Sequence, residues 1–256
     1  MYTIKENKKR MSVQIQRLLM MMVAIIVASM TVTACLEDEN SEENNEENGG
    51  NGGGGISGKR LKTTVTTSGT MEPFRGEYTY NSDGTLKRID YYDVSTSKLS
   101  RYTVITSNSD GTVAKEELFD TWGDWVINYT SWDNKRPLKA EGYSTAGGVK
   151  IPVTFDFTYQ NGRLTRFVQK TGTQGDYSYR ENKYEPVYDS NGRRTSTTET
   201  DSSLGQRKFT RTYNSDGTLQ KVTTDGYAGY QNTNYTVTYT WENGKTTVDS
   251  DVYATF

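Results

Sequence analysis

Three sets of side chains in this sequence could do chemistry: the adjacent carboxylates Glu116 and Glu117, the turn carboxylates Asp83, Asp110 and Asp216, and the tryptophans Trp122, Trp125, Trp132 and Trp241. A carboxylate pair could act as general acid and base, but neighbours on a strand point to opposite faces, so Glu116 and Glu117 do not share a site. The three Asp residues sit in Asp-Gly turns that look like calcium loops, yet no copy supplies the further carboxylates of an EF-hand-like site. They read as turn residues. With no His and one Cys in 256 residues, the usual general base, the commonest metal ligand and any intramolecular disulfide are missing. No catalytic residue, metal site or cofactor is expected. The tryptophans remain. Trp122 and Trp125 flank Gly123-Asp124 in what reads as a hairpin loop, and Trp132 and Trp241 flank turns. Exposed, they would form a platform for sugar rings or a protein partner; buried, they would cap a modest core.

The elements that must position these residues come from a repeat. Tyr80-Asn-Ser-Asp-Gly84-Thr-Leu86 recurs from Ser107 to Val113, from Tyr188 to Gly192 and from Tyr213 to Leu219, with shorter copies at Tyr159 to Leu164 and Trp241 to Gly244. A degenerate copy runs from Trp132 to Leu138, with Arg136 where the others have Gly. Asn-Ser-Asp-Gly suits a type I turn followed by a left-handed Gly, whereas Asn-Gly alone suits a two-residue type I′ turn. Each unit is therefore a β-hairpin, and the turn at Arg136 is expected to be irregular.

Between turns the pattern has period two: Ile151, Val153, Phe155, Phe157 and Tyr159 share one face, and Tyr235, Val237, Tyr239 and Trp241 alternate with Thr236, Thr238 and Thr240. Seven units predict an all-β antiparallel meander of about 14 strands, forming a curved sheet or open barrel over residues 59–256. Overall net charge is −2, which argues against nucleic acid as a partner. An exposed aromatic patch would favour binding. A long unpaired edge would favour a structural role through strand addition.

The N-terminus holds Lys5, Lys8, Lys9, Arg10 and Arg17, then an uncharged run from Leu18 to Ala34, in the order of a secretory signal. Val32-Thr33-Ala34-Cys35 resembles the bacterial lipobox, which implies that residues 1–34 are a signal peptide and that Cys35 carries the lipid. Residues 35–58 contain seven acids, no base and seven Gly, the composition of a flexible tether. The acids behind Cys35 resemble the export signal of Bacteroidota surface lipoproteins, and the Tyr-x-x-x-Gly-x-Leu unit resembles the YD repeat of Rhs-type proteins. These resemblances imply a lipid-anchored outer-membrane protein facing the cell exterior, whose partners are membrane lipid through acylated Cys35 and a polysaccharide or surface protein. A non-catalytic binding module is the expected function, with a structural or assembly component of the cell surface as the alternative.

Overall fold

A computed structural model describes residues 58–68, 72–121, 123–176, 179–229 and 234–244. The residues read as signal peptide and tether lie outside this set, except Gly58. Fourteen strands follow in order: β1 (Lys59–Ser68), β2 (Phe74–Tyr80), β3 (Leu86–Asp93), β4 (Leu99–Ser107), β5 (Val113–Asp120), β6 (Trp125–Asp133), β7 (Arg136–Ala146), β8 (Val149–Gln160), β9 (Arg163–Thr171), β10 (Arg180–Tyr188), β11 (Arg194–Asp201), β12 (Gly205–Tyr213), β13 (Leu219–Thr224) and β14 (Tyr235–Asn243). Each pairs antiparallel with its sequence neighbours, and β14 pairs with β1. The sheet is a closed barrel rather than the curved sheet or open barrel expected.

The repeat turns lie together at one end, here the turn end. In the long form the Asp carboxylate is tied down locally: Asp83 Oδ1 accepts from the Thr85 amide at 2.9 Å and hydroxyl at 2.7 Å, and Asp110 and Asp216 repeat this with Thr112 and Thr218. Gly84 and Gly217 have φ of 88° and 83°, as a left-handed turn position requires. Asn161 and Gly162, at φ 51° and 77°, form the expected two-residue turn. The degenerate copy differs from expectation: Asn134 and Lys135 take the left-handed positions, at φ 46° and 63°, and Arg136 opens β7. Lys135 stands in the place of Gly162, so the turn is regular and one residue earlier than the Arg136 alignment implied.

Six hairpins are complete, from β2–β3 to β12–β13. The seventh is split between the ends of the described chain, with Trp241 opposite Leu61 and Asn243 opposite Lys59.

The same aromatic position recurs before most of these turns, and its polar atom reaches back to the preceding hairpin. Tyr80 Oη donates to Leu61 O at 2.8 Å, Tyr188 Oη to Leu164 O at 3.0 Å, Tyr213 Oη to Arg194 O at 2.7 Å and Trp241 Nε1 to Leu219 O at 2.7 Å. The rings of Tyr80, Tyr213 and Trp241 pack against the core, and in all four the polar group binds a backbone carbonyl.

A circular wall of fourteen strands would enclose more room than side chains fill. Leu61, Leu86, Tyr184, Phe209 and Leu219 are nevertheless 0% exposed. The interior at these positions is therefore filled by side chains and not open to solvent. Inside, the turn end is mainly apolar, with Arg194 and Arg211 buried among the rings and aliphatic side chains, and the opposite loop end carries Arg101, Asn182, Glu199, Asp201 and Arg207, all buried.

The outward face of β9 to β14 is mainly polar, with Val187 an exposed apolar exception. Lys183, Thr198, Thr200, Lys208, Thr210, Lys221, Thr223 and Thr238 point to solvent, by burial and register. A barrel that crosses a bilayer shows an apolar band there and keeps its polar residues inside. The outward positions named here are polar instead.

Candidate functional site

The structure does not bring the four tryptophans together. Trp122 lies outside the described residues. Trp125 opens β6 at the loop end and is 2% exposed, opposite Leu118 and Ser144 within the core; it is a packing residue and not a surface platform. Trp132 and Trp241 sit at the turn end, partly buried against the core, with Trp132 5.5 Å from Tyr129. They belong to the aromatic cap. Glu116 and Glu117 point to opposite faces as expected. Glu116 is buried and accepts from Tyr129 Oη at 2.8 Å, while Glu117 faces outward and pairs with Lys115 at 2.7 Å.

Two clusters emerge instead. The first is an outward belt on β3 to β8, toward the loop end. Cross-strand register places Tyr92 beside Leu99, Tyr102 beside Phe119, and Val104, Glu117, Val126, Tyr143 and Pro152 in one row. Tyr102 and Phe119 stack at 4.8 Å with 25° between planes. The Arg88 guanidinium lies 3.9 Å from the Tyr102 centroid and is held by Asp90 at 2.5 Å, a bond that raises its pKa. Arg75 lies over Tyr92 at 5.5 Å and pairs with Glu77 at 2.8 Å, and Lys150 lies 4.1 Å from the Tyr143 centroid. Leu99 and Val94, at the loop end of this face, are 47% and 44% exposed. The belt offers rings and aliphatic carbons among charges that are largely paired with one another.

Sequence reasoning missed this belt, although a signal was present. Tyr91-Tyr92, Leu118-Phe119 and Trp125-Val126 are adjacent large residues within strands, and the pleat sends one of each pair inward and the other outward. Two bulky apolar neighbours on a wall with one buried face therefore mark an apolar patch on the other.

The second cluster is internal. Phe157, Phe167 and Tyr184 stand in one inward row, with Phe167 and Tyr184 stacked at 4.2 Å, and the row continues to Glu199 and Arg207. Glu199 is 0% exposed and forms an ion pair with Arg207. It also accepts from Asn182 Nδ2 at 2.6 Å and Tyr184 Oη at 2.9 Å. Burial, then the Glu199 charge, pushes the Tyr184 hydroxyl far above its ordinary value. Desolvation opposes the charge of the Arg207 guanidinium, but Glu199 together with Tyr235, Tyr227 and Tyr184 outweighs it and keeps the group charged. The carboxylate is surrounded by donors, the arrangement that makes a buried charge tolerable.

No protein-family model matches the chain, and no curated protein does. Among solved structures it is similar to a porin-like protein from Bacteroides uniformis ATCC 8492, at 14% identity over 71% of this chain and 98% of that chain, with a TM-score of 0.39. It is also similar to a porin-like protein from Bacteroides vulgatus ATCC 8482, at 9% identity over 71% and 98%, with a TM-score of 0.41.

Proposed function

We propose that this chain is a lipid-anchored outer-membrane protein facing the cell exterior, whose barrel works in water as a non-catalytic binding module for a neutral polysaccharide or a surface protein. The observation that carries the reading is the outward belt around the Tyr102–Phe119 stack. A patch of rings and aliphatic carbons on an otherwise polar wall is the usual mark of an interaction surface. Its charges are paired locally, so recognition rests on ring contact and hydroxyls, and binding of that kind depends weakly on salt.

The leader-like N-terminus, Cys35 and the acidic tract behind it support anchoring through a lipid on Cys35. The charged outward wall supports a barrel held beside the membrane on the tether rather than within it. The structural alternative would work by strand addition, which needs an open edge. The closed order offers none among the described strands, and this favours the binding reading.

The test is a polysaccharide and glycoprotein array probed with the purified chain at low and high salt, repeated with Tyr102→Ala, Phe119→Ala and Tyr143→Ala. A tenfold or greater loss of affinity with an unchanged thermal midpoint is the expected result. Full affinity in all three variants would overturn the assignment.

A further inference from the structure

We propose that the outward belt on β3 to β8 takes a short extended segment of a partner protein, laid across the strands, rather than a sugar chain or a folded domain. This rests on the binding reading above and names its partner. Three tyrosines carry the belt, and each stands between a cation and an apolar side chain from its two neighbouring strands. Tyr92 on β3 has Arg75 of β2 over its ring at 5.5 Å and Leu99 of β4 opposite on the other side. Tyr102 on β4 has Arg88 of β3 at 3.9 Å and stacks with Phe119 of β5 at 4.8 Å. Tyr143 on β7 has Lys150 of β8 at 4.1 Å and Val126 of β6 opposite.

These neighbours take up the ring faces. Strands lie about 4.8 Å apart, so a side chain on each flank leaves the edges and hydroxyls as what the rings can offer a ligand. All three tyrosines are accordingly half-buried. A sugar ring stacks on an open aromatic face, and here each negative ring face that would receive it already holds a cation of the protein. Arg75 and Arg88 are in turn held by Glu77 and Asp90, at 2.8 and 2.5 Å. They are not spare for an acidic polysaccharide.

The size of the belt selects among protein partners. From Tyr92 on β3 to Pro152 on β8 it crosses the spacings between consecutive strands, a length of about 24 Å, and its outward rows make it about 17 Å deep. That is about 400 Å², half of the ~800 Å² that each partner gives to a stable interface. A second copy of the barrel would need more. An extended chain matches the length, because about seven residues at ~3.3 Å each cover it. Apolar side chains of such a segment would rest on Leu99 and Val94, which are 47% and 44% exposed, and on Val126. Its backbone carbonyls would accept from the tyrosine hydroxyls and the guanidinium N–H groups. Tyrosine and arginine are the side chains that protein interfaces favour.

Panning a displayed library of short linear peptides on the purified chain, beside a glycan array, tests this. The expected result is a set of apolar peptides that lose about tenfold in affinity with Tyr102→Ala or Tyr143→Ala and are unaffected by Lys208→Ala on β12. Leu99→Asp, at an exposed position, should weaken them as much and keeps the test independent of packing lost with a ring. Arg88→Ala opens one face of Tyr102 and should weaken peptide binding without creating sugar binding. Glycan binding that the tyrosine variants abolish would overturn the peptide assignment and leave the belt as the binding surface. A dimer that Tyr102→Ala dissociates would replace the peptide with a second copy. If no ligand of any kind depends on the belt, this inference and the binding reading fall together.

Discussion

The Gly244 amide donates to the Gly58 carbonyl at 3.0 Å, and this bond stands where the other six hairpins have a covalent turn. β1 and β14 share nine paired positions, whereas β1 pairs with β2 at four and β13 with β14 at four. The strands at the two ends of the barrel domain thus form a ribbon that closes the wall. A cross-link between the paired positions Lys59 and Asn243 restricts the unfolded chain by a very long loop. Lys59→Cys with Asn243→Cys, in a Cys35→Ser background, should stabilise the oxidised barrel by about 3 kcal/mol. Comparing urea midpoints with and without reductant checks this; equal midpoints would mean that the ribbon is not the closing element.

The Glu199–Arg207 pair is buried on both sides. Arg207→Met leaves the carboxylate without its counter-charge and should cost about 3–5 kcal/mol. Glu199→Leu combined with Arg207→Met removes both charges and should be more stable than Arg207→Met alone. Chemical denaturation of the three proteins decides it, and a double variant as unstable as the single one would contradict the ion-pair account.

Lys135 holds φ at 63° without the freedom of Gly. A side chain in the left-handed region costs about 1–2 kcal/mol, so Lys135→Gly should raise stability by about 1 kcal/mol after the entropy that Gly adds to the unfolded chain. Thermal melts test it, with Gly217→Val, which places a β-branched residue at φ 83°, as the opposite control.

Acid should weaken the turns. Hydrogen bonds from Thr85, Thr112 and Thr218 side chains and from the Arg193 amide hold Asp83, Asp110, Asp216 and Asp189 below their ordinary value of 3.8. A depressed folded pKa means that this stability is complete above about pH 4 and is lost as pH falls through the lower folded values. Asp→Asn at the four turns should flatten that acid limb in denaturation curves. At the other extreme, burial pushes Tyr91 and Tyr235 from 10.0 up to about 12. Stability should therefore fall between these values, as the unfolded chain ionises first.

Cys35→Ser should abolish lipid attachment, since the sequence holds no second cysteine. Labelled palmitate incorporation and membrane fractionation check the outcome. Label entering the variant would end the lipoprotein reading.

Hairpin positions were legible in the sequence because each depends on a few consecutive residues. Asn-Gly at 161 and 162 and the Asp-to-Thr hydrogen bonds of the longer turns are complete within five residues of chain. The one misplaced turn, read at Arg136 but formed by Asn134 and Lys135, lacked the Gly that marks the left-handed position. The alternation of Ile151 to Tyr159 likewise foretold an inward and an outward face, because the pleat has a period of two whatever surrounds it. Closure was not legible. Lys59 meets Asn243 only when the accumulated twist and stagger of every intervening strand bring the ends together, and no local pattern carries that sum. Nor could sequence type decide the tryptophans: Trp125 is core and Trp132 part of the end cap because strand phase and the bulges near Ser131 set which way each ring points. Ring contact between Tyr102 and Phe119, and the pairing of charges around them, likewise required the β4–β5 register. Side-chain identity determined what could pack or bind, and long-range register decided which of those groups met.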